Sequence, residues 1–180
     1  KAAVRWLRAN AQKYNIDVDK IAALGFSAGG QLAALLGTTN GLSKFEGELG
    51  NSSFSSKINA IIDLDGTLAF IHPESGEGDD SKSISAATYW FGYNKTQNPE
   101  LWNEAGALQH IDKNTPPVLF INSSVNRMHA GRDEMRRKMD ALGRYSEVHS
   151  FSEAPHTFVL FIPWFNPMVE HIVSFLGKVL

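Results

Sequence analysis

Residues Gly25-Phe26-Ser27-Ala28-Gly29 place a serine between two glycines in a Gly-x-Ser-x-Gly pattern. A serine nucleophile has to stand clear of the backbone, which requires a sharp turn from a strand into a helix. Glycine two positions before and after the serine removes Cβ clashes in such a turn. We therefore predict that Ser27 is an attacking residue and that the Ala28 N–H, at a helix N-terminus, stabilises an oxyanion. The alternative is a serine that only caps a helix.

A serine hydroxyl needs a general base, and six histidines compete for that role. His156 follows the last predicted strand by five residues and precedes the final helix. In the chain order serine, acid, histidine, this is the place for the base. We predict that His156 is the base. The second functional histidine that we consider is His129, and the alternative for His156 is a surface loop residue.

The acid that orients the imidazole is harder to assign from the sequence. The expected point after the third strand carries Asn126, which is not an acid. The first carboxylate after it is Asp133, which we prefer. Asp65, at the end of the preceding strand with Asp63 behind it, is the alternative. Asp133 could instead be a first-turn helix acid, and Asp65 could be a turn residue before a glycine.

Alternating strands and helices must position these side chains. Short apolar runs end immediately before the candidate residues, and amphipathic or Ala/Leu-rich stretches lie between them. This alternation predicts one α/β domain over residues 1–180, with a mostly parallel sheet and helices on both faces. Ligands bind such sheets beyond the carboxyl ends of the strands. The predicted strands cover 21–26, 58–64, 118–122 and 145–151, and the main predicted helices cover 1–14, 31–36, 132–142 and 165–180.

Composition excludes several classes of function. Net charge is −2 with mixed signs, so no basic face for nucleic acid or polybasic stretch for a membrane surface is present. The chain has no cysteine, which excludes disulfides and thiolate metal sites. We expect no cofactor, no metal, no nucleic acid and no membrane partner. The acidic loop at 74–80 does not fit the spacing of an EF-hand calcium site.

Four segments resemble bacterial α/β-hydrolases of the carbohydrate-esterase type, such as acetylxylan and feruloyl esterases. They are Gly-Phe-Ser-Ala-Gly-Gly (25–30), Phe-Ile-Asn-Ser-Ser (120–124), His-Ala-Gly-Arg-Asp (129–133) and Ala-Pro-His-Thr-Phe (154–158). The resemblance implies hydrolysis of acyl esters, acetyl esters among them, on plant-type carbohydrates. It also implies Ser27 as nucleophile, His156 as base, and a secreted or periplasmic location.

Members of that family begin with further strands and a loop that donates a second oxyanion N–H. This sequence starts, at Lys1, with the helix that precedes the serine strand. We therefore expect a C-terminal portion of an α/β-hydrolase that lacks the N-terminal strands. We further expect a homo-oligomer or another association to cover the open sheet edge, or that edge to be irregular.

The segment 67–115 is a candidate cap-like insertion over the site. Its aromatic residues could stack on a sugar ring, although core tryptophans and solvated loop charges are the simpler interpretation. Two other functions are consistent with the sequence. One is a serine peptidase of the same fold, and the other is a non-catalytic fragment or binding protein.

Overall fold

The computed structural model describes residues 1–180. Its four strands are Ala22–Phe26 (β1), Ala60–Leu64 (β2), Val118–Asn122 (β3) and Ser146–Ser150 (β4). The α-helices are Ala2–Ala9 (α1), Ala11–Tyr14 (α2), Ala28–Thr38 (α3), Ala86–Phe91 (α4), Pro99–Glu104 (α5), Arg132–Ala141 (α6) and Ile162–Val179 (α7). Short 3₁₀ helices lie at Ser43–Phe45, Ala107–His110, Asn126–His129 and Phe158–Leu160.

The strands form one sheet in the order β1-β2-β3-β4, and every neighbouring pair is parallel. All residues of β2 and β3 are buried, as expected for central strands covered on both faces. The predicted α/β fold with a parallel sheet is confirmed. Because all four strands run the same way, their carboxyl ends share one edge of the sheet.

Side chains of alternate strand residues enter two separate cores. Ile61, Val118 and Phe120 pack in one core with residues of α1, α3 and α6. Ile62, Leu119 and Ile121 face the opposite way and pack with residues of α7. Helices therefore cover both faces, which holds the strand ends in fixed positions.

The element boundaries differ from the predicted ones at a few points. The first helix is divided at Asn10, and the helix after Ser27 begins at Ala28 rather than Gln31. Ile58 lies before β2 because its N–H donates to the Asn40 side chain instead of the sheet. β1 forms one edge of the sheet, and association along this edge stays a prediction. None of the helices combines the length and the apolar character that crossing a membrane requires.

Candidate active site

Ser27 occupies a strained turn between β1 and α3. Its φ of 56° and ψ of −120° lie in a region of backbone conformation that residues other than glycine rarely adopt. The Ser27 N–H continues the β1–β2 ladder by donating to the Leu64 carbonyl at 2.8 Å. Ala28 is the first residue of α3, so its N–H has no acceptor within the helix and is free for an oxyanion. These are the features that the sequence pattern predicts for a nucleophile turn.

Of the two glycines in the sequence pattern, the turn requires only Gly25. A Cβ on Gly25 would lie 2.0 Å from the Gly29 carbonyl oxygen, so a side chain at 25 is excluded. A Cβ on Gly29 would meet nothing within 4 Å. Gly30 is the constrained residue instead, since a Cβ there would lie 2.3 Å from Asp63 Oδ1 and 3.0 Å from the Gly66 Cα. The close approach is thus between α3 and the end of β2.

His156 meets Ser27 across 129 residues of sequence. Its Nε2 lies 2.9 Å from Ser27 Oγ. The loop that carries it is tied to the end of β3, because the backbone N–H and the hydroxyl of Ser124 both donate to the Ala154 carbonyl. The Phe26 ring packs on the imidazole with a centroid distance of 4.8 Å. Sheet and loop together place an imidazole within hydrogen-bonding distance of the serine hydroxyl.

Asp65 is the carboxylate that contacts His156. Its Oδ2 lies 3.0 Å from His156 Nδ1. A carboxylate can only accept, so Nδ1 carries the imidazole proton and Nε2 is left to accept the proton of Ser27. Asp65 directly follows β2, has a positive φ of 52°, and is fully buried. The backbone N–H of Ser123 donates to its Oδ1 at 2.8 Å, which fixes the other oxygen toward the imidazole.

Asp133, our preferred acid, does not reach the imidazole. It lies in the first turn of α6 with its side chain 59% exposed, and its Oδ1 accepts from the Arg132 Nε at 2.9 Å. The Arg132 hydrogen bond is also the main reason that the pKa of Asp133 is lowered. The geometry therefore favours the alternative, Asp65, and corrects the preference for Asp133. The direction of α6 after β3 turns Asp133 outward.

Asp63 and His129 flank Asp65 without touching Ser27. Asp63 is fully buried, and that burial raises its pKa well above the ordinary value; Asp65 nearby adds to the shift. Its Oδ1 accepts from the Gly66 N–H at 2.8 Å, which holds the turn that follows Asp65. His129 Nε2 lies 3.8 Å from Asp65 Oδ1, and burial and the charge of Arg132 lower the pKa of His129. Burial thus favours the protonated form of Asp63 and the neutral form of His129.

A cavity of about 490 Å³ opens beside Ser27. Most of its wall is apolar, and Ala28, Leu32, Phe70, Trp90 and Met128 contribute to it. Part of the 67–115 segment therefore lines the space next to the nucleophile. Trp90 is 55% exposed at this wall. Trp102 has a different role, since it is fully buried and packs edge-on against Phe70 in a small separate core.

Comparison with known proteins agrees with this architecture. The BD-FAE family profile matches residues 1–128, which include Ser27 and Asp65. The chain belongs to the BD-FAE family. It is 29% identical over 131 residues to esterase LipC of Mycobacterium tuberculosis (strain ATCC 25618 / H37Rv), a match that covers 69% of this chain and 30% of LipC.

Two solved structures share the fold of this BD-FAE chain. A truncated form of a carbohydrate esterase from gut microbiota is 24% identical with a TM-score of 0.76, covering 97% of this chain and 66% of that one. The acetyl ester-xyloside bifunctional hydrolase from Caldicellulosiruptor lactoaceticus is 20% identical with a TM-score of 0.67, covering 98% of this chain and 64% of that one. The resemblance to esterases with an α/β-hydrolase fold is confirmed. The chain spans under a third of LipC and about two thirds of these structures.

The contacts that two residues make with Asp65 were not predicted from the sequence. Asn122 and Ser123, at the end of β3, both donate to Asp65 Oδ1, at 3.4 and 2.8 Å. Their place at the carboxyl end of a buried strand was the available signal, but backbone and amide donors to a carboxylate have no sequence pattern. No group of three or more His, Cys, Asp or Glu side chains is arranged to hold a metal ion.

Proposed function

We propose that this chain carries the catalytic triad of a serine-dependent carboxylic ester hydrolase, with Ser27 as nucleophile, His156 as base and Asp65 as acid. The observation that supports this most is the continuous hydrogen-bonded line from Ser27 Oγ through both ring nitrogens of His156 to Asp65 Oδ2, at 2.9 and 3.0 Å. A helix-capping serine requires no such line. The names of the similar proteins point the same way, toward esters.

The geometry supports a two-step acyl transfer. Ser27 Oγ attacks the ester carbonyl carbon while His156 Nε2 takes the hydroxyl proton. The oxyanion accepts from the Ala28 N–H, and one such donor contributes roughly 3 kcal/mol to transition-state stabilisation. Collapse of the tetrahedral intermediate breaks the ester C–O bond, and the leaving alcohol receives the proton from His156. Water then attacks the acyl-serine with the same base, which releases the carboxylic acid and restores Ser27.

We further propose that the substrate is an acyl ester, of the acetyl type, on a plant-type carbohydrate. The apolar cavity beside Ser27 can hold a small acyl group, and the exposed Trp90 ring at its wall can stack on a sugar. Two fold neighbours, named as a carbohydrate esterase and an acetyl ester-xyloside hydrolase, favour the same substrate class. Acetate release from acetylated xylan, compared with p-nitrophenyl acetate, tests this part. Hydrolysis of the synthetic ester alone would contradict the carbohydrate assignment.

Labelling by a fluorophosphonate, together with turnover of p-nitrophenyl acetate, tests the reaction itself. We expect the unmodified chain to be labelled and Ser27→Ala to lose both signals. Ser53→Ala is the matched control, because Ser53 is an exposed loop serine. No labelling of the unmodified chain, or labelling that survives Ser27→Ala, would refute the proposal. Release of product from a dipeptide anilide but not from the ester would instead indicate a peptidase.

A further inference from the structure

Asp65 depends on a second layer of residues that the triad does not include. Its Oδ1, the oxygen turned away from His156, accepts from the Ser123 N–H at 2.8 Å and from the Asn122 Nδ2 at 3.4 Å. The Asn122 Oδ1 accepts in turn from the Arg132 Nη1 at 3.0 Å. A chain of hydrogen bonds thus runs from α6, through the end of β3, to the triad.

The arginine determines which way the Asn122 amide points. An asparagine amide can present either its oxygen or its NH₂ group, whereas a guanidinium has donors only. Because Arg132 donates, the amide oxygen of Asn122 faces Arg132 and the NH₂ group faces Asp65. The opposite orientation would direct an amide oxygen at a buried carboxylate. Asn122 is itself 1% exposed, so water cannot replace the missing donor.

The charge of Arg132 also favours a link between this residue and Asp65. A carboxylate with 0% exposure needs compensation for its lost hydration. His129 is poorly suited to supply it, because burial lowers the pKa of that imidazole and so favours its neutral form. The permanent cation that is joined to Asp65 by hydrogen bonds is Arg132, whose side chain is only 18% exposed.

We propose that Arg132 is a positioning residue for Asp65, acting through the Asn122 amide to keep the carboxylate directed at His156. This inference rests on the proposed triad. It assigns a role to the His-Ala-Gly-Arg-Asp segment through its arginine rather than through Asp133.

Three variants test it. Arg132→Met removes the donors and keeps the aliphatic stem, whereas Arg132→Lys keeps a cation and one donor group. Arg137→Met is the matched control, because it makes the same change on the same helix at a side chain that is 69% exposed. With p-nitrophenyl acetate, we expect Arg132→Met to lower kcat about tenfold with KM within about twofold. We expect Arg132→Lys to recover most of the loss and Arg137→Met to match the unmodified protein.

The ¹⁵N spectrum of the His156 imidazole gives a readout that does not depend on turnover. The Nδ1–H tautomer should dominate in the unmodified protein, in Arg132→Lys and in Arg137→Met, and Arg132→Met should show a mixture with the Nε2–H form. Unchanged kcat and an unchanged tautomer in folded Arg132→Met would overturn the inference. If the unmodified chain neither hydrolyses esters nor reacts with a fluorophosphonate, the proposed function fails, and the tautomer alone then decides the role of Arg132.

Discussion

Replacing Asp65 by asparagine changes one atom in a position where the hydrogen-bond geometry fixes the consequence. The Ser123 N–H donates to Oδ1 at 2.8 Å in the unmodified protein. The amide oxygen of the variant can take the place of Oδ1 and accept the same hydrogen bond, so the turn after β2 is retained. The NH₂ group then takes the place of Oδ2, 3.0 Å from His156 Nδ1. A donor there forces Nδ1 to accept and moves the imidazole proton to Nε2. That proton faces Ser27, and the base can no longer remove the hydroxyl proton.

The same tautomer error in another serine hydrolase lowers kcat about 10⁴-fold, which corresponds to roughly 5.5 kcal/mol of activation free energy. We expect a loss of this order for Asp65→Asn in initial rates with p-nitrophenyl acetate. Asp133→Asn serves as the control and should stay within about twofold, because that carboxylate is exposed and bonded to Arg132. Thermal unfolding of both variants checks that they are folded. A kcat for Asp65→Asn above a tenth of the unmodified value, or an equal loss in Asp133→Asn, would refute the assignment of the acid.

Three further predictions concern stability. Gly30→Ala should lower the free energy of unfolding by about 1–3 kcal/mol, since the new Cβ would overlap Asp63 Oδ1. The Cβ of Gly29→Ala enters open space within a helix, so this variant should be neutral or slightly stabilising. Equal denaturation midpoints for the two variants would contradict this prediction. Asp63 has a raised pKa, so the folded state keeps a proton that the unfolded state releases above pH 4, and stability falls as pH rises. Asp63→Asn should therefore flatten the pH dependence of unfolding on the alkaline side of pH 4, and an unchanged slope would argue against a protonated Asp63. His171 has a lowered pKa, owing to burial and then to the charge of His149, whose ring stacks on it at 3.6 Å. The contribution of His171 to the free energy of unfolding is present above pH 6.5 and is lost as pH falls below it, because the unfolded chain then binds a proton more readily than the folded one. His171→Gln should therefore reduce the loss of stability between pH 7 and 5 in melting experiments.

Much of the fold could be predicted because buried parallel strands carry a strong local signal. The run at β3 was predicted with its observed bounds, since it is apolar and follows two prolines. The helix after Ser27 was predicted too short, because the two glycines that follow Ala28 are weak helix formers, which the nucleophile turn nevertheless holds in the helix. Local propensity does not include that tertiary constraint.

The residues of the candidate site that could be predicted are those marked by a pattern of neighbouring residues or by their position relative to a strand. Ser27 lies in a turn whose shape requires particular neighbours, and His156 lies at a characteristic point in the order of the strands. The role of Asn122 depends on an amide orientation that Arg132 sets from ten residues away, so no local pattern reveals it.

The sequence by itself determined the alternation of strands and helices, the nucleophile turn and the loop histidine, because each depends on residues close together in the chain. Only the tertiary structure decided between the two carboxylates. Asp65 and Asp133 both follow a strand, but the left-handed backbone of Asp65 directs its side chain into the space beside His156. The path of α6 carries Asp133 to the surface, and such directions depend on how helices pack on the finished sheet.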